Sequence, residues 1–121
     1  MHTFRKGIVL VAAAALAGLV VAVSAPAGPE ATPQRVAVGM SEFRFTVKPK
    51  TVRKGTPVVF ALTNRGRIAH DFRIRGRKSP LVAAGKRGTL RLTFAKAGRY
   101  RYICTLPSHA VAGMAGTLVV R

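Results

Sequence analysis

Apolar and polar residues alternate along most of the chain beyond residue 35, and this pattern limits the fold more than any other feature. Val36 and Val38 alternate with Arg35 and Ala37, and a similar alternation returns at 89–94. A period of two is typical of half-buried β-strands, because successive side chains of a strand point to opposite faces. Turn residues interrupt the pattern at short intervals. The sequence therefore predicts an all-β fold, an antiparallel sandwich or barrel of about seven or eight short strands.

The interruptions also place individual strands. Phe43 is expected to point inward from one strand, and His70 from another at 68–74. Residues 81–84 are expected to form a short helical turn or an irregular crossing. The strand at 99–104 leads into a loop that holds the most informative side chains of the chain.

The first quarter of the chain has a different composition from the rest. Arg5 and Lys6 precede an unbroken apolar run at 8–23, and Ala25 and Ala27 follow in a small-x-small arrangement. A basic start, an apolar middle and a small-residue end are typical of an export signal.

Three segments follow from this reading. We expect residues 1–27 to be a signal peptide cleaved after Ala27; the alternative is an uncleaved N-terminal anchor, because the apolar run extended through Ala27 reaches spanning length. Residues 28–34 are expected to be a flexible leader, and residues 35–121 the folded domain. The protein would then be exported and be periplasmic, extracellular or held at the cell surface by the anchor.

The chain is strongly basic, with a formal net charge of +18. Its only acidic residues are Glu30, Glu42 and Asp71, and loss of Arg5 and Lys6 with the signal would lower the charge by two, to +16. Such a surface attracts anionic partners, and association with an anionic cell surface is one expectation. The basic residues are dispersed rather than gathered in a tract, so no nucleic-acid partner is expected.

Residues 104–114 hold the single cysteine, Cys104, followed at equal spacings by His109 and Met114. A lone cysteine in an exported protein cannot form an internal disulfide, and by itself it would be read as a buried free thiol or as half of an intermolecular bridge. Thiolate, imidazole and thioether together suit copper better than calcium, magnesium or manganese. One loop between two paired strands can bring all three to one point, so this segment predicts three ligands of a mononuclear copper site.

A fourth ligand must come from elsewhere, and His70 is the candidate. Tyr100, Tyr102 and Cys104 share one face of their strand, so the thiol should point into the core at the strand's end. His70 lies 34 residues upstream and would by itself be read as a surface or core histidine. Two histidines and a cysteine with a distant methionine form the geometry of blue-copper electron-transfer sites.

These residues resemble a known family. The segment 98–109, followed by Met114, is similar to the C-terminal copper loop of cupredoxins, the group of plastocyanin, azurin and rusticyanin, and its spacing is most similar to the rusticyanin type. Residues 58–72 resemble the family's strand that carries its first histidine ligand. The resemblance covers residues 35–121 and implies a cupredoxin-like Greek-key sandwich that holds one copper ion. The implied ligands are His70, Cys104, His109 and Met114.

Two positions depart from the family pattern. Asp71 stands where many cupredoxins have asparagine; its carboxylate can accept hydrogen bonds from Thr105 or backbone N–H groups and would favour Cu(II), which lowers the potential. Ser108 stands where related loops often have glycine after Pro107. Serine fits a positive φ less well, which makes a type I turn the alternative. Asp71, Thr105 and Pro107 are thus expected to surround the ligands without binding the metal.

The resemblance implies one-electron transfer between redox partners, and the protein is expected to be a monomer. His109 would be the electron port, with its ring edge toward solvent in an uncharged loop surface, and the redox partner would be acidic, such as a cytochrome or an oxidase domain. The alternative is a copper carrier or chaperone that delivers copper to an extracytoplasmic cuproprotein. No nucleophile, base and acid form a catalytic set, so an enzyme is not expected.

Overall fold

The computed structural model describes residue 7, residues 9–24 and residues 32–121. The expected cleavage point after Ala27 and most of the leader at 28–34 lie outside the described residues. Residues 9–24 form neither helix nor strand, and their large apolar side chains are exposed. In the part of the chain that the structure describes, no helix has the length and apolar character to cross a membrane.

Nine strands follow one another along the described chain from residue 34 onward, and the described ranges contain no α-helix. The strands are β1 (Gln34–Ser41), β2 (Arg44–Lys48), β3 (Thr51–Val52), β4 (Pro57–Asn64), β5 (Arg73–Ile74), β6 (Arg77–Lys78), β7 (Arg87–Thr93), β8 (Gly98–Ile103) and β9 (Ala115–Val120). They form a four-stranded sheet in the order β2-β1-β4-β7 and a five-stranded sheet in the order β3-β9-β8-β5-β6. The predicted all-β sandwich is confirmed.

One apolar core lies between the two sheets, and the alternating residues build it. Val36 and Val38 of β1 are buried, as is Leu92 of β7. Across the core the ring of Phe72 packs between Phe60 of β4 and Tyr102 of β8, with centroid distances of 5.1 and 5.2 Å. Burial of each such side chain contributes about 1.5–3 kcal/mol, so this contact holds the two sheets in register around β8.

Two strand pairs are parallel, which differs from the purely antiparallel expectation. β1 pairs with β4, and β3 with β9, in parallel. After β2 the chain crosses to the other sheet as β3 and returns as β4. It therefore reaches the free side of β1 running in the same direction as β1.

The segment before β5 is largely irregular, so the strand expected at 68–74 shrinks to Arg73–Ile74. His70 forms only an isolated bridge with Val82, with N–H to carbonyl distances of 3.1 and 2.8 Å. His70, Asp71 and Phe72 are all buried, so the expected alternation fails there. Asp71 can be buried between His70 and Phe72 because Thr105 donates two hydrogen bonds to its carboxylate. Residues 81–84 form the irregular crossing rather than the helical turn.

Candidate metal centre

Strands β8 and β9 fix both ends of the loop at residues 104–114. They pair down to Ile103 and Ala115, so Cys104 and Met114 leave the hairpin side by side. The Cys104 N–H donates to the Met114 carbonyl (3.1 Å), and the Met114 N–H donates to the His109 carbonyl (3.0 Å). These bonds tie the backbones of the three loop residues together.

Ser108 adopts a φ of 68°, in the left-handed region. The type I alternative expected for this turn is therefore wrong, and the loop keeps the conformation for which glycine would be better suited. The bond from the His109 N–H to the Leu106 carbonyl (3.2 Å) closes the chain around Pro107 and Ser108. This closure turns the His109 ring back toward Cys104.

His70 reaches the same point from the irregular segment that precedes β5. Its backbone bridge to Val82 holds the irregular segment, and the buried Asn64 amide donates to the carbonyls of Val82 (2.9 Å) and Ile68 (2.8 Å). Because this amide bonds both neighbouring segments, the backbone at His70 is fixed without a regular strand.

Three possible metal donors converge in the interior. The two imidazole Nδ1 atoms of His70 and His109 lie 3.2 Å apart, and the Cys104 Sγ lies 3.5 Å from the His109 Nδ1. All three donor atoms lie within 4.8 Å of one another, and the residues are 0%, 8% and 1% exposed respectively. Two imidazole nitrogens and one sulfur facing one another in a dry pocket fit copper.

Met114 is fully buried, and its backbone bonds hold it next to Cys104 and His109. It is therefore available as a fourth, thioether donor. The assignment of His70, Cys104, His109 and Met114 as copper ligands stays a prediction.

Burial raises the pKa of the Cys104 thiol above its ordinary value. Without a metal the thiol is thus held in its protonated form, whereas a metal binds the thiolate. Binding should release this proton, which makes metal affinity increase with pH in the range below the thiol's pKa.

Asp71 links the His70 segment to the residue after Cys104. Its two carboxylate oxygens accept hydrogen bonds from the Thr105 N–H (2.7 Å) and the Thr105 hydroxyl (2.5 Å). Asp71 is 3% exposed, so these bonds replace its lost hydration. Pro107 is exposed and contributes through the shape of the loop rather than through a polar contact.

Glu42 and Phe43, the two residues between β1 and β2, also contact the histidines, and sequence reasoning missed this. The Glu42 Oε1 lies 3.1 Å from the outer ring nitrogen, Nε2, of His70. The Phe43 ring packs edge-on against His109 at a centroid distance of 5.0 Å. The N–H of Arg67, which donates to Glu42, lowers the pKa of this carboxyl. The sequence feature that could have pointed to Glu42 is its rarity, since it is one of three acidic residues in a strongly basic chain.

The surface around His109 differs from the expectation in two respects. Phe43 lies in the turn, 41% exposed, and not inside the core. Its ring covers His109, so the imidazole edge is almost entirely shielded from solvent. The uncharged surface remains, since Val111 is 94% exposed and Pro107 and Ala112 are exposed beside it.

Known proteins share both the sequence and the architecture. Residues 11–120 match the family model of the cupredoxin-like domain. The copper-resistant cuproprotein CopI of Rubrivivax gelatinosus is 36% identical over 118 residues, spanning 78% of this chain and 71% of that protein.

Two examples illustrate the solved structures that are similar to this fold. Auracyanin B has a TM-score of 0.64 at 21% identity, with 77% of this chain and 93% of that chain covered. Auracyanin A, a "blue" copper protein from the green thermophilic photosynthetic bacterium Chloroflexus aurantiacus, has a TM-score of 0.62 at 21% identity, with 74% and 100% covered.

Proposed function

Because this chain belongs to the cupredoxin-like family, we propose that it is an exported, mononuclear type 1 copper protein that carries single electrons between redox partners. Copper is its cofactor, and the single observation that carries the proposal is the convergence of His70, Cys104 and His109 within 4.8 Å in the interior. When bound there, copper supplies a one-electron redox centre.

The protein's own residues would keep this site rigid and dry. Hydrogen bonds from Cys104 to Met114 and from Met114 to His109 tie the loop to itself, and Asp71 ties it to the His70 segment. A site that is fixed from several elements changes shape little between Cu(I) and Cu(II), which favours electron transfer. Burial of the donors also excludes water from the metal's coordination positions.

The second candidate function is copper delivery, and it is favoured by the 36% identity to a copper-resistant cuproprotein. Delivery requires that the metal leave readily, yet His70 is 0% and Cys104 1% exposed. Copper would have to escape past the backbone bonds of the loop. A reversible electrode response supports the electron carrier, whereas rapid loss of copper to a mild chelator supports delivery.

Export and an acidic partner belong to the same proposal. The basic start, apolar run and small-residue end of residues 1–27 support export to the periplasm, the exterior or the cell surface. The net charge of +18 supports an acidic redox partner and fast encounter at low salt. We expect the protein to act as a monomer without catalytic activity of its own.

A groove on the five-stranded sheet supports a docking position for this partner. A surface cavity of about 420 Å³ is lined by the cations Arg73, Arg75 and Arg101 and by the apolar Ile103 and Ala110. Among the described residues no carboxylate lies within ion-pair distance of these arginines, because the acidic side chains of Glu42 and Asp71 face His70 and Thr105 instead. Guanidinium groups bind carboxylates in a two-pronged geometry, so an acidic surface fits the groove.

The groove also lies close to the ligands along the chain. Ile103 immediately precedes Cys104, and Ala110 immediately follows His109. The side chain of Ile103 lies on the outer face of β8, whereas Cys104 points into the interior. A partner bound in the groove would thus contact residues that directly adjoin two of the proposed ligands, Cys104 and His109, in the chain.

The copper spectrum tests the proposal directly. Metal-free protein given Cu(II) should become intensely blue through thiolate-to-copper charge transfer, and Cys104→Ser should remain colourless because it removes the only thiolate. Visible absorption measures both, and nuclear magnetic resonance of the metal-free variant checks its folding. A colourless copper complex of the unaltered protein would refute a type 1 site.

A further inference from the structure

Glu42 occupies an unusual position for an exposed turn residue. Its Oε1 accepts hydrogen bonds from the N–H groups of Arg67 (2.8 Å) and Ile68 (3.2 Å) and also faces the Nε2 of His70 at 3.1 Å. One oxygen thus connects the β1–β2 turn, the backbone before His70 and the ring of His70. Its side chain is 32% exposed, whereas that of His70 is 0% exposed.

The two nitrogens of His70 face different groups. The Nδ1 points into the donor cluster, 3.2 Å from the Nδ1 of His109, and the Nε2 points at Glu42. A carboxylate can only accept a hydrogen bond, so the proton of the neutral ring lies on Nε2, and Nδ1 carries a lone pair that faces the donor cluster. This is the tautomer that a metal at the cluster requires.

We propose that Glu42 is a positioning residue that holds His70 in its metal-binding tautomer and increases the preference of the site for Cu(II) over Cu(I). The inference rests on the proposed function only for its copper part. The orientation of the ring is a property of the metal-free protein.

Gly66 shows that the fold makes room for this carboxylate. A Cβ on Gly66 would overlap the Glu42 carboxylate oxygen and would also approach Asn64. The backbone of Gly66 donates to the Asn64 side chain (2.8 Å), which places the following N–H groups of Arg67 and Ile68 opposite Glu42. A larger residue at this position would displace the carboxylate from the place where it contacts His70.

A negative charge on the outer nitrogen increases the electron donation of the inner one. It also adds a negative charge near the metal in a chain with a net charge of +18, and the more highly charged copper ion gains most from it. Loss of such a hydrogen-bonding carboxylate typically lowers metal affinity about 10–100-fold. We expect the loss to fall mainly on Cu(II).

Two variants of Glu42 separate charge from hydrogen bonding. Glu42→Gln keeps the shape and an acceptor oxygen but removes the charge, so the ratio of Cu(II) to Cu(I) affinity should fall about tenfold, which raises the potential by about 59 mV. Arg44→Gln, which changes an exposed charge beside the same turn, is the matched control and should change the potential far less.

The second variant, Glu42→Ala, is measured in metal-free protein. Nitrogen-15 resonance of the His70 ring should report the Nε2–H tautomer in the full unaltered chain and a mixture of tautomers in Glu42→Ala. Gly66→Ala should produce the same mixture without any change in charge, because it displaces the carboxylate. If Glu42→Ala does not fold, the tautomer populations of Gly66→Ala test the positioning role, and the affinity ratio of Glu42→Gln tests the effect on copper.

Unchanged tautomer populations in both alanine variants would overturn the positioning role. A potential in Glu42→Gln that shifts no more than in Arg44→Gln would overturn the effect on copper. If the unaltered protein forms no blue site, the proposed function fails, whereas the tautomer measurement still decides whether Glu42 holds His70.

Discussion

The two carboxylates among the described residues both bind groups next to the candidate ligands. Asp71 accepts two hydrogen bonds from Thr105, which follows Cys104, and Glu42 accepts from the segment that carries His70. In a chain with three acidic residues against 21 basic ones, both described acids thus serve the site. A carboxylate only accepts hydrogen bonds, and each here accepts them from one segment that carries or adjoins a candidate ligand, Asp71 from Thr105 and Glu42 from residues 67–70.

Met114 can be tested by a change that keeps its volume. Met114→Leu should keep the blue colour and raise the potential, because the thioether that would help to stabilise Cu(II) is lost. The cost in folding stability should stay below about 1.5 kcal/mol, since Leu and Met have similar volumes. Met40→Leu is the matched control, because Met40 is equally buried in β1. Equal potentials in the two variants would remove Met114 from the proposed ligands.

At the scale of elements, the loop between β8 and β9 owes its shape to its own backbone bonds. The Cys104–Met114 and Met114–His109 bonds set the loop's width, and Ser108 accepts a left-handed φ so that His109 can turn inward. An ordinary residue in this conformation costs about 1–2 kcal/mol relative to a right-handed one. The loop therefore stores strain at one position.

Ser108→Gly should relieve that strain. Glycine avoids the cost of the left-handed conformation, but its backbone loses more entropy on folding, which costs about 0.5–1 kcal/mol. The net effect should be a stabilisation of about 0.5–1 kcal/mol. Urea unfolding of the metal-free protein measures the difference. Ala112→Gly in the same loop, where φ is not positive, should instead destabilise. A loss of stability in Ser108→Gly would show that the serine hydroxyl contributes more than the strain costs.

At the scale of the whole molecule, the basic charge is spread over both sheets, but only part of it borders the site. Arg101 lies on the outer face of β8 in the groove beside Ile103, and Arg91 lies exposed on β7 of the opposite sheet. The two arginines contribute equally to the net charge. Substituting each arginine in turn therefore distinguishes a specific docking position in the groove from general electrostatic attraction by the net charge.

Arg101→Glu should weaken binding of a hexaglutamate peptide to copper-loaded protein by about tenfold at low salt. Arg91→Glu makes the same change in net charge and should weaken it much less. Amide resonances that shift on peptide addition should lie around the groove, at β5, β8 and Ala110. Equal losses in the two variants, or shifts spread over both sheets, would show that the charge acts diffusely.

The sequence by itself determined the sandwich and the composition of the candidate site. Alternation with a period of two specifies which side chains enter a sheet's core, and Cys104, His109 and Met114 are close enough in the chain for one loop to present them. The parallel pairing of β1 with β4, the irregular backbone at His70 and the approach of Glu42 to the ring were decided only by the tertiary structure. They depend on hydrogen bonds between segments far apart in the chain, and local periodicity carries no information about such contacts.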